Sequence, residues 1–145
     1  MSFVKNVICP KFSIPPYSLK DCHISAINLD GDNVELICDL GYQDNSIPRR
    51  GVKGDIIISK VNYEYCRAYI LNYSGLICGS YGEFNGKKMP ADEFLRTFSK
   101  ISLDVMEEAF GKNIWKLNGF ITHDGKIMEF VLEIYYEGDI TYVLK

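Results

Sequence analysis

Pro90-Ala91-Asp92-Glu93-Phe94-Leu95-Arg96-Thr97-Phe98-Ser99-Lys100-Ile101-Ser102-Leu103-Asp104-Val105-Met106-Glu107-Glu108-Ala109-Phe110-Gly111 is the stretch on which the fold class turns. Within it Phe94, Phe98, Ile101, Val105 and Ala109 recur at helical spacing, and Leu95, Met106 and Phe110 widen the apolar stripe. Asp92 and Glu93 suit the positive end of a helix dipole, and Gly111 is a natural stop. The spacing predicts one long amphipathic helix over about 91–110.

Outward from this stretch the chain alternates as strands do. Asp30-Gly31-Asp32-Asn33 reads as a tight turn between Cys22–Leu29 and Val34–Leu40. With Gly31 and Asp32 as the loop, Leu29 faces Val34, Ile27 faces Leu36, and Ser25 faces Cys38; Asn28 meets Glu35 and Ala26 meets Ile37 on the other side. Further strands are predicted over Asp55–Lys60, a long Tyr63–Tyr73, and Leu76–Ser80 after a Ser74-Gly75 turn. Glu83-Phe84-Asn85-Gly86-Lys87-Lys88 reads as a turn leading into the helix.

Asp124-Gly125 makes a second two-residue turn, and its register pairs Ile121 with Met128, Gly119 with Phe130, Leu117 with Leu132, and Trp115 with Ile134. On the opposite side Lys116 meets Glu133 and Asn118 meets Val131. Glu137-Gly138-Asp139 then turns into a last strand, Ile140–Leu144. The expected fold is α+β: an antiparallel sheet of about seven or eight strands, ending in a C-terminal three-stranded meander, packed on the helix. No linker or repeat divides residues 1–145, so one domain is expected, with residues 1–20 (Pro10, Pro15 and Pro16 among them) as an extended N-terminal arm.

Composition narrows the classes. The chain has 145 residues, 47% hydrophobic and 24% charged, with formal net charge −3, which is ordinary globular usage. No apolar run approaches the ~18 residues of a membrane-spanning helix. The negative charge is local: residues 1–60 carry seven basic and seven acidic groups, whereas residues 91–145 carry six and ten. That balance disfavours nucleic acid as a partner. Five cysteines at 9, 22, 38, 66 and 78 are odd in number and have no C-x-x-C spacing. They read as buried thiols in a reducing cytoplasm, with no disulfide framework and no metal site.

Motifs that carry chemistry are scarce. Gly82-Glu83-Phe84-Asn85-Gly86-Lys87-Lys88 has three residues between its glycines where a phosphate loop needs four, and lacks the hydroxyl after lysine. Gly79-Ser80-Tyr81-Gly82 is no nucleophile elbow. Cys22 and His23 adjoin on one strand and point to opposite faces, so they form no nucleophile–base pair. His23 reads as a packed, hydrogen-bonded histidine and His123 as an exposed one. Glu129 and Glu133, on one strand face, are about 13 Å apart, too far for a glycosidase pair.

Two features point to binding instead. Tyr63, Tyr65, Arg67, Tyr69 and Tyr73 fall on one face of the long strand, and tyrosine and arginine are the residues most enriched at interface hot spots. The loop before the preceding strand gathers Arg49, Arg50 and Lys53, a candidate anion contact. The outward side of the last hairpin adds Ile114, Phe120, Val131 and Tyr135 among Lys116, Glu129 and Glu133, more apolar than a solvated face needs. The expected function is non-catalytic binding of another macromolecule, a protein partner or a second copy, with no cofactor and no membrane. The alternative is a small-molecule binder or modest enzyme with a pocket between helix and sheet.

Overall fold

The computed structural model describes residues 5–10, 13–46, 50–77, 81–90, Glu93, Phe94, Arg96, 102–123 and 125–145, with residues 71–77 and 81–89 described as backbone. Its strands are β1 (Lys5–Cys9), β2 (Tyr17–Ser18), β3 (His23–Ile24), β4 (Ala26–Asp30), β5 (Asn33–Ile37), β6 (Tyr42–Asp44), β7 (Arg50–Val52) and β8 (Gly54–Ile58). They continue as β9 (Arg67–Ile77), β10 (Tyr81–Pro90), β11 (Leu103–Gly111), β12 (Ile114–His123), β13 (Lys126–Tyr135) and β14 (Ile140–Leu144). Pairing is antiparallel throughout. A five-stranded sheet has the order β1-β14-β8-β5-β4, a six-stranded sheet β10-β9-β13-β12-β11-β3, and a three-stranded sheet β2-β6-β7.

The α+β expectation is overturned. The described residues contain no helix of seven or more residues, and the strand count exceeds the seven or eight expected. Leu103–Gly111, the second half of the expected helix, is strand β11, paired with β12 along its length. Glu93, Phe94 and Arg96 are helical and Phe94 is fully buried, while Phe98 and Ile101 lie outside the described residues. The misreading has a physical source in a β-bulge. Val105 pairs with Gly119 and Glu107 with Asn118, leaving Met106 as an extra residue. The bulge shifts the inward parity from Leu103 and Val105 to Glu108 and Phe110. A strand that skips one place in this way presents apolar residues three and four apart, which imitates a helix.

Both turn-directed hairpins keep the expected registers. Leu29↔Val34, Ile27↔Leu36, Asn28↔Glu35 and Ala26↔Ile37 pair around Gly31, whose φ of +60° a two-residue turn of this kind demands. In the other hairpin, Ile121↔Met128, Gly119↔Phe130, Leu117↔Leu132, Trp115↔Ile134, Lys116↔Glu133 and Asn118↔Val131 all hold. Their continuations differ from expectation. Ser25 does not face Cys38: its N–H donates to Ile37 O at 2.9 Å, and the run 22–29 splits there into β3 and β4 of different sheets. The C-terminal meander does not form either, because β14 leaves for the five-stranded sheet and pairs with β8 and β1.

Ser74-Gly75 is no turn, since β9 runs through it to Ile77 and pairs with β10. The stretch Glu83–Lys88, expected as a turn, is part of β10. Residues 78–80, between β9 and β10, lie outside the described residues.

Alternation buries one side of each larger sheet in a shared cluster. Leu36, Ile56, Ile58, Ile140 and Tyr142 come from the five-stranded sheet; Leu103, Val105, Trp115, Leu117, Ile121, Phe130 and Leu132 come from the six-stranded one. The three-stranded sheet is locked on through aromatic edges: Tyr17 and Tyr42 lie 5.2 Å apart, and both contact Tyr142, at 4.9 and 5.5 Å. Asp55, a buried acid on β8, is paired with Lys145 and accepts the Cys38 N–H at 3.2 Å, which offsets the cost of burying its charge.

Candidate functional site

The outward side of the six-stranded sheet follows from the registers. Residues directly opposite on neighbouring strands form rows across it. One row is Tyr69–Val131–Asn118–Glu107, and the next is Arg67–Glu133–Lys116–Ala109. A third runs from Glu129 through Phe120 and Asp104 to His23. Phe120 is 39% exposed and Met106, set out by the bulge, 44%. Tyr69, Val131, Glu129 and Glu133 are half-buried, and Lys116 reaches Glu133 at 3.7 Å. Of the described side chains, the face therefore has an apolar centre among Asp104, Glu107, Glu129 and Glu133, with Arg67 and Lys116 as its cations; Lys88, opposite Tyr69, lies on the same row as that residue. Much of the acidic excess read in residues 91–145 is displayed here.

The tyrosine row is distributed by the fold. Tyr63 and Tyr65 sit in a single 3-10 turn, Tyr63–Tyr65, ahead of β9, so strand alternation does not place them with Tyr69. Tyr63 Oη donates to Gly31 O at 3.0 Å, tying this turn to the β4–β5 hairpin. Tyr65 is 59% exposed and packs at 5.3 Å on Tyr135. Arg67 Nη1 donates to the Glu64 and Cys66 carbonyls at 2.6 and 2.8 Å, which fixes its head at the margin of the sheet face. Tyr73 lies on β9 opposite Phe84, with its side chain outside the description. Of the basic loop, Arg49 lies outside the described residues, Arg50 is exposed and reaches Asp44 at 3.5 Å, and Lys53 is exposed.

A different constellation emerges where the sheets meet. β3 lasts two residues, with Ile24 buried inward and His23 turned outward. Leu103↔Ile24 and Asp104↔His23 pair it to the start of β11, and Ser102, one residue before, shares the outward side with Asp104 by the period of two. Asp39 arrives from the turn after β5, where the Gly41 N–H donates to Cys38 O at 2.9 Å. His23 Nδ1 lies 2.7 Å from Asp39 Oδ1, and His23 Nε2 lies 2.9 Å from Ser102 Oγ. The His23 side chain is 24% exposed and that of Asp39 45%. The hydrogen bond from His23 holds the Asp39 carboxyl below the ordinary carboxylate range. The reading of His23 as a satisfied histidine located the residue but not its partners. They lie 16 and 79 positions away, and only the pairing of β3 with β11 brings Ser102 in.

A shallow cleft of about 420 Å³ opens between residues 14–20 and β11, with Tyr17, Lys20, Asn45 and Phe110 in its walls and Glu108 at its inner side. It lies beside a strand, so the expected pocket between helix and sheet is replaced by a strand-lined groove. Glu108 accepts the Leu19 N–H and the Trp115 Nε1–H, each at 3.0 Å. Burial pushes its carboxyl pKa up against the opposing effect of these bonds. Because the folded pKa is the higher one, wild-type stability declines as pH rises from the unfolded value of 4.5 through the raised folded value. Glu108→Gln removes this ionisation and turns an amide N–H₂ towards one donor, so it is expected to cost about 1–3 kcal/mol at acid pH. The gap to wild type should narrow as pH rises; urea unfolding at pH 4 and pH 7 measures both. A constant gap would show that Glu108 does not ionise at a shifted pH.

Among the described residues there is no grouping of three or more His, Cys, Asp or Glu suited to a metal ion, and no helix long and apolar enough to cross a membrane. No protein-family model matches the chain, and no curated protein and no solved structure matches it either.

Proposed function

We propose that the chain is a protein-binding module that docks through the outward side of the six-stranded sheet. The observation that carries this reading is the exposure of large side chains, Phe120 and Met106 among them, on the strand ladder beside Tyr69 and Val131. An apolar centre with a polar rim is the anatomy of a protein interface, and aromatic residues supply most of its binding energy. The rim is acidic on balance, so the complementary partner has a small apolar centre ringed by lysine and arginine. Tyr65, packed on Tyr135 at one end, and Arg67, held at the margin, extend the surface. The four described free thiols, Cys9, Cys22, Cys38 and Cys66, suit a reducing compartment.

The test compares immobilised wild type with Phe120→Glu as baits, both checked for equal melting temperature. A basic protein retained by wild type should be lost from the variant by tenfold or more, as expected for a central aromatic. Its retention should also weaken several-fold as salt is raised from about 0.05 to 0.5 M, because rim charges are screened over a few ångströms. Equal retention by both baits, or retention indifferent to salt, would remove this face from consideration. Self-association that Phe120→Glu abolishes would make a second copy the partner in place of a basic protein.

A further inference from the structure

We propose that Ser102 is a nucleophile activated by His23 and positioned through Asp39, and that it transfers the acyl group of a carboxylic ester to water. The argument rests on the two hydrogen bonds in line, 2.7 Å from Asp39 Oδ1 to His23 Nδ1 and 2.9 Å from His23 Nε2 to Ser102 Oγ. An ionised carboxylate can only accept, so in neutral His23 the proton sits on Nδ1 and points at Asp39. Nε2 then carries a lone pair and accepts the Ser102 hydroxyl proton. Nucleophile, base and orienting acid thus occupy their required roles, a constellation recognised by geometry on unrelated folds.

The backbone holds the arrangement in place. Thr122 N–H donates to Ser102 O at 3.0 Å, and the next residue, Leu103, is paired on both sides, with Ile24 and Ile121. Asp21 N–H to Val105 O and Val105 N–H to Cys22 O, both 2.8 Å, fasten the segment before His23 to β11. Strand pairing thus anchors His23 and the residue after Ser102, which preorganises the base and nucleophile better than free loops would, while Asp39 comes from the turn after β5. The exposure of His23 and Asp39 leaves the relay open to a small substrate from solvent.

The chemistry balances without a further reagent. Ser102 Oγ attacks the ester carbonyl while His23 Nε2 takes its proton. The tetrahedral adduct collapses, the ester C–O bond breaks, and the leaving alkoxide takes that proton and departs as the alcohol. Water, deprotonated by His23, then cleaves acyl-Ser102 to the carboxylic acid and regenerates the hydroxyl. No group is oxidised or reduced, and Asp39 stays ionised throughout.

The experiment treats the full chain with a biotin-tagged fluorophosphonate, whose fluoride leaves as the serine O–P bond forms, and separately with 4-nitrophenyl acetate. Peptide mass mapping of wild type should place a single adduct on Ser102. Ser102→Ala should abolish labelling and the hydrolysis of the ester above background. His23→Gln should slow both by about 100-fold or more, the usual contribution of a general base. Circular dichroism and melting confirm that the variants are folded, and the wild-type mapping needs no variant. The proposal is overturned if folded wild type carries no adduct on Ser102, if labelling is indifferent to His23→Gln, or if ester hydrolysis survives Ser102→Ala. Both reagents are small and need no docked partner, so the outcome is independent of the binding face.

Discussion

Trp115→Ala is expected to destabilise the protein by about 4–5 kcal/mol, lowering the melting temperature by about 15 °C. Trp115 is the chain's one tryptophan and is fully buried on β12. Its ring stacks on Phe110 at 5.4 Å with an interplanar angle of 11°. Its Nε1–H donates to the Glu108 carboxylate at 3.0 Å. Truncation therefore removes the largest core side chain and strands one oxygen of a half-buried acid, two costs that act together. Trp115→Phe keeps most of the apolar contact and loses the hydrogen bond, for an expected cost of about 1–2 kcal/mol. Urea unfolding of the three proteins measures the split. Equal losses for Phe and Ala would show that ring burial contributes little at this position.

Gly119→Ala is the second large effect, through the backbone. A Cβ at Gly119 would lie 1.9 Å from Asp104 O and 2.9 Å from Met106 N, both main-chain atoms that no rotamer change can move aside. The glycine stands opposite the bulge, where the main chain of β11 comes close to it. Alanine there must push the strands apart or erase the bulge, and about 3 kcal/mol or more is expected from overpacking against rigid atoms. Thermal melting measures the loss. A variant within 0.5 kcal/mol of wild type, the range of ordinary surface changes, would contradict so close an approach.

What could be read from the sequence was local. Two residues separate the paired Asp30 and Asn33, and two separate the paired His123 and Lys126, so short-range chemistry sets the pairing, and ten named pairs stand as expected. The fold class was misread at Met106, because a bulge erases the strand period where apolar residues are dense. Nor could alternation reveal that β14 deserts its hairpin neighbours, since Ile140–Leu144 pairs as well with one sheet as with another by pattern alone. Candidate sites divide in the same way. The outward apolar face was legible from the Asp124-Gly125 register, whereas Asp39, His23 and Ser102 belong to three segments joined only by tertiary pairing. Tyr63 shows the opposite case: a strand-like spacing broken by a 3-10 turn that Asn62 caps through its side chain.

The pairing of β1 with β14 sets a timetable for synthesis. Lys5–Cys9 emerges long before its partner Ile140–Leu144. Until then Val7 and Ile8 sit on an unmatched edge, the kind of segment that recruits stray strands. The two tight hairpins can close early, but the five-stranded sheet reaches its full width only after β14 has been made. Contacts this distant in sequence slow folding, so β1 is an aggregation hazard in the unfolded chain until β14 arrives to pair one of its edges.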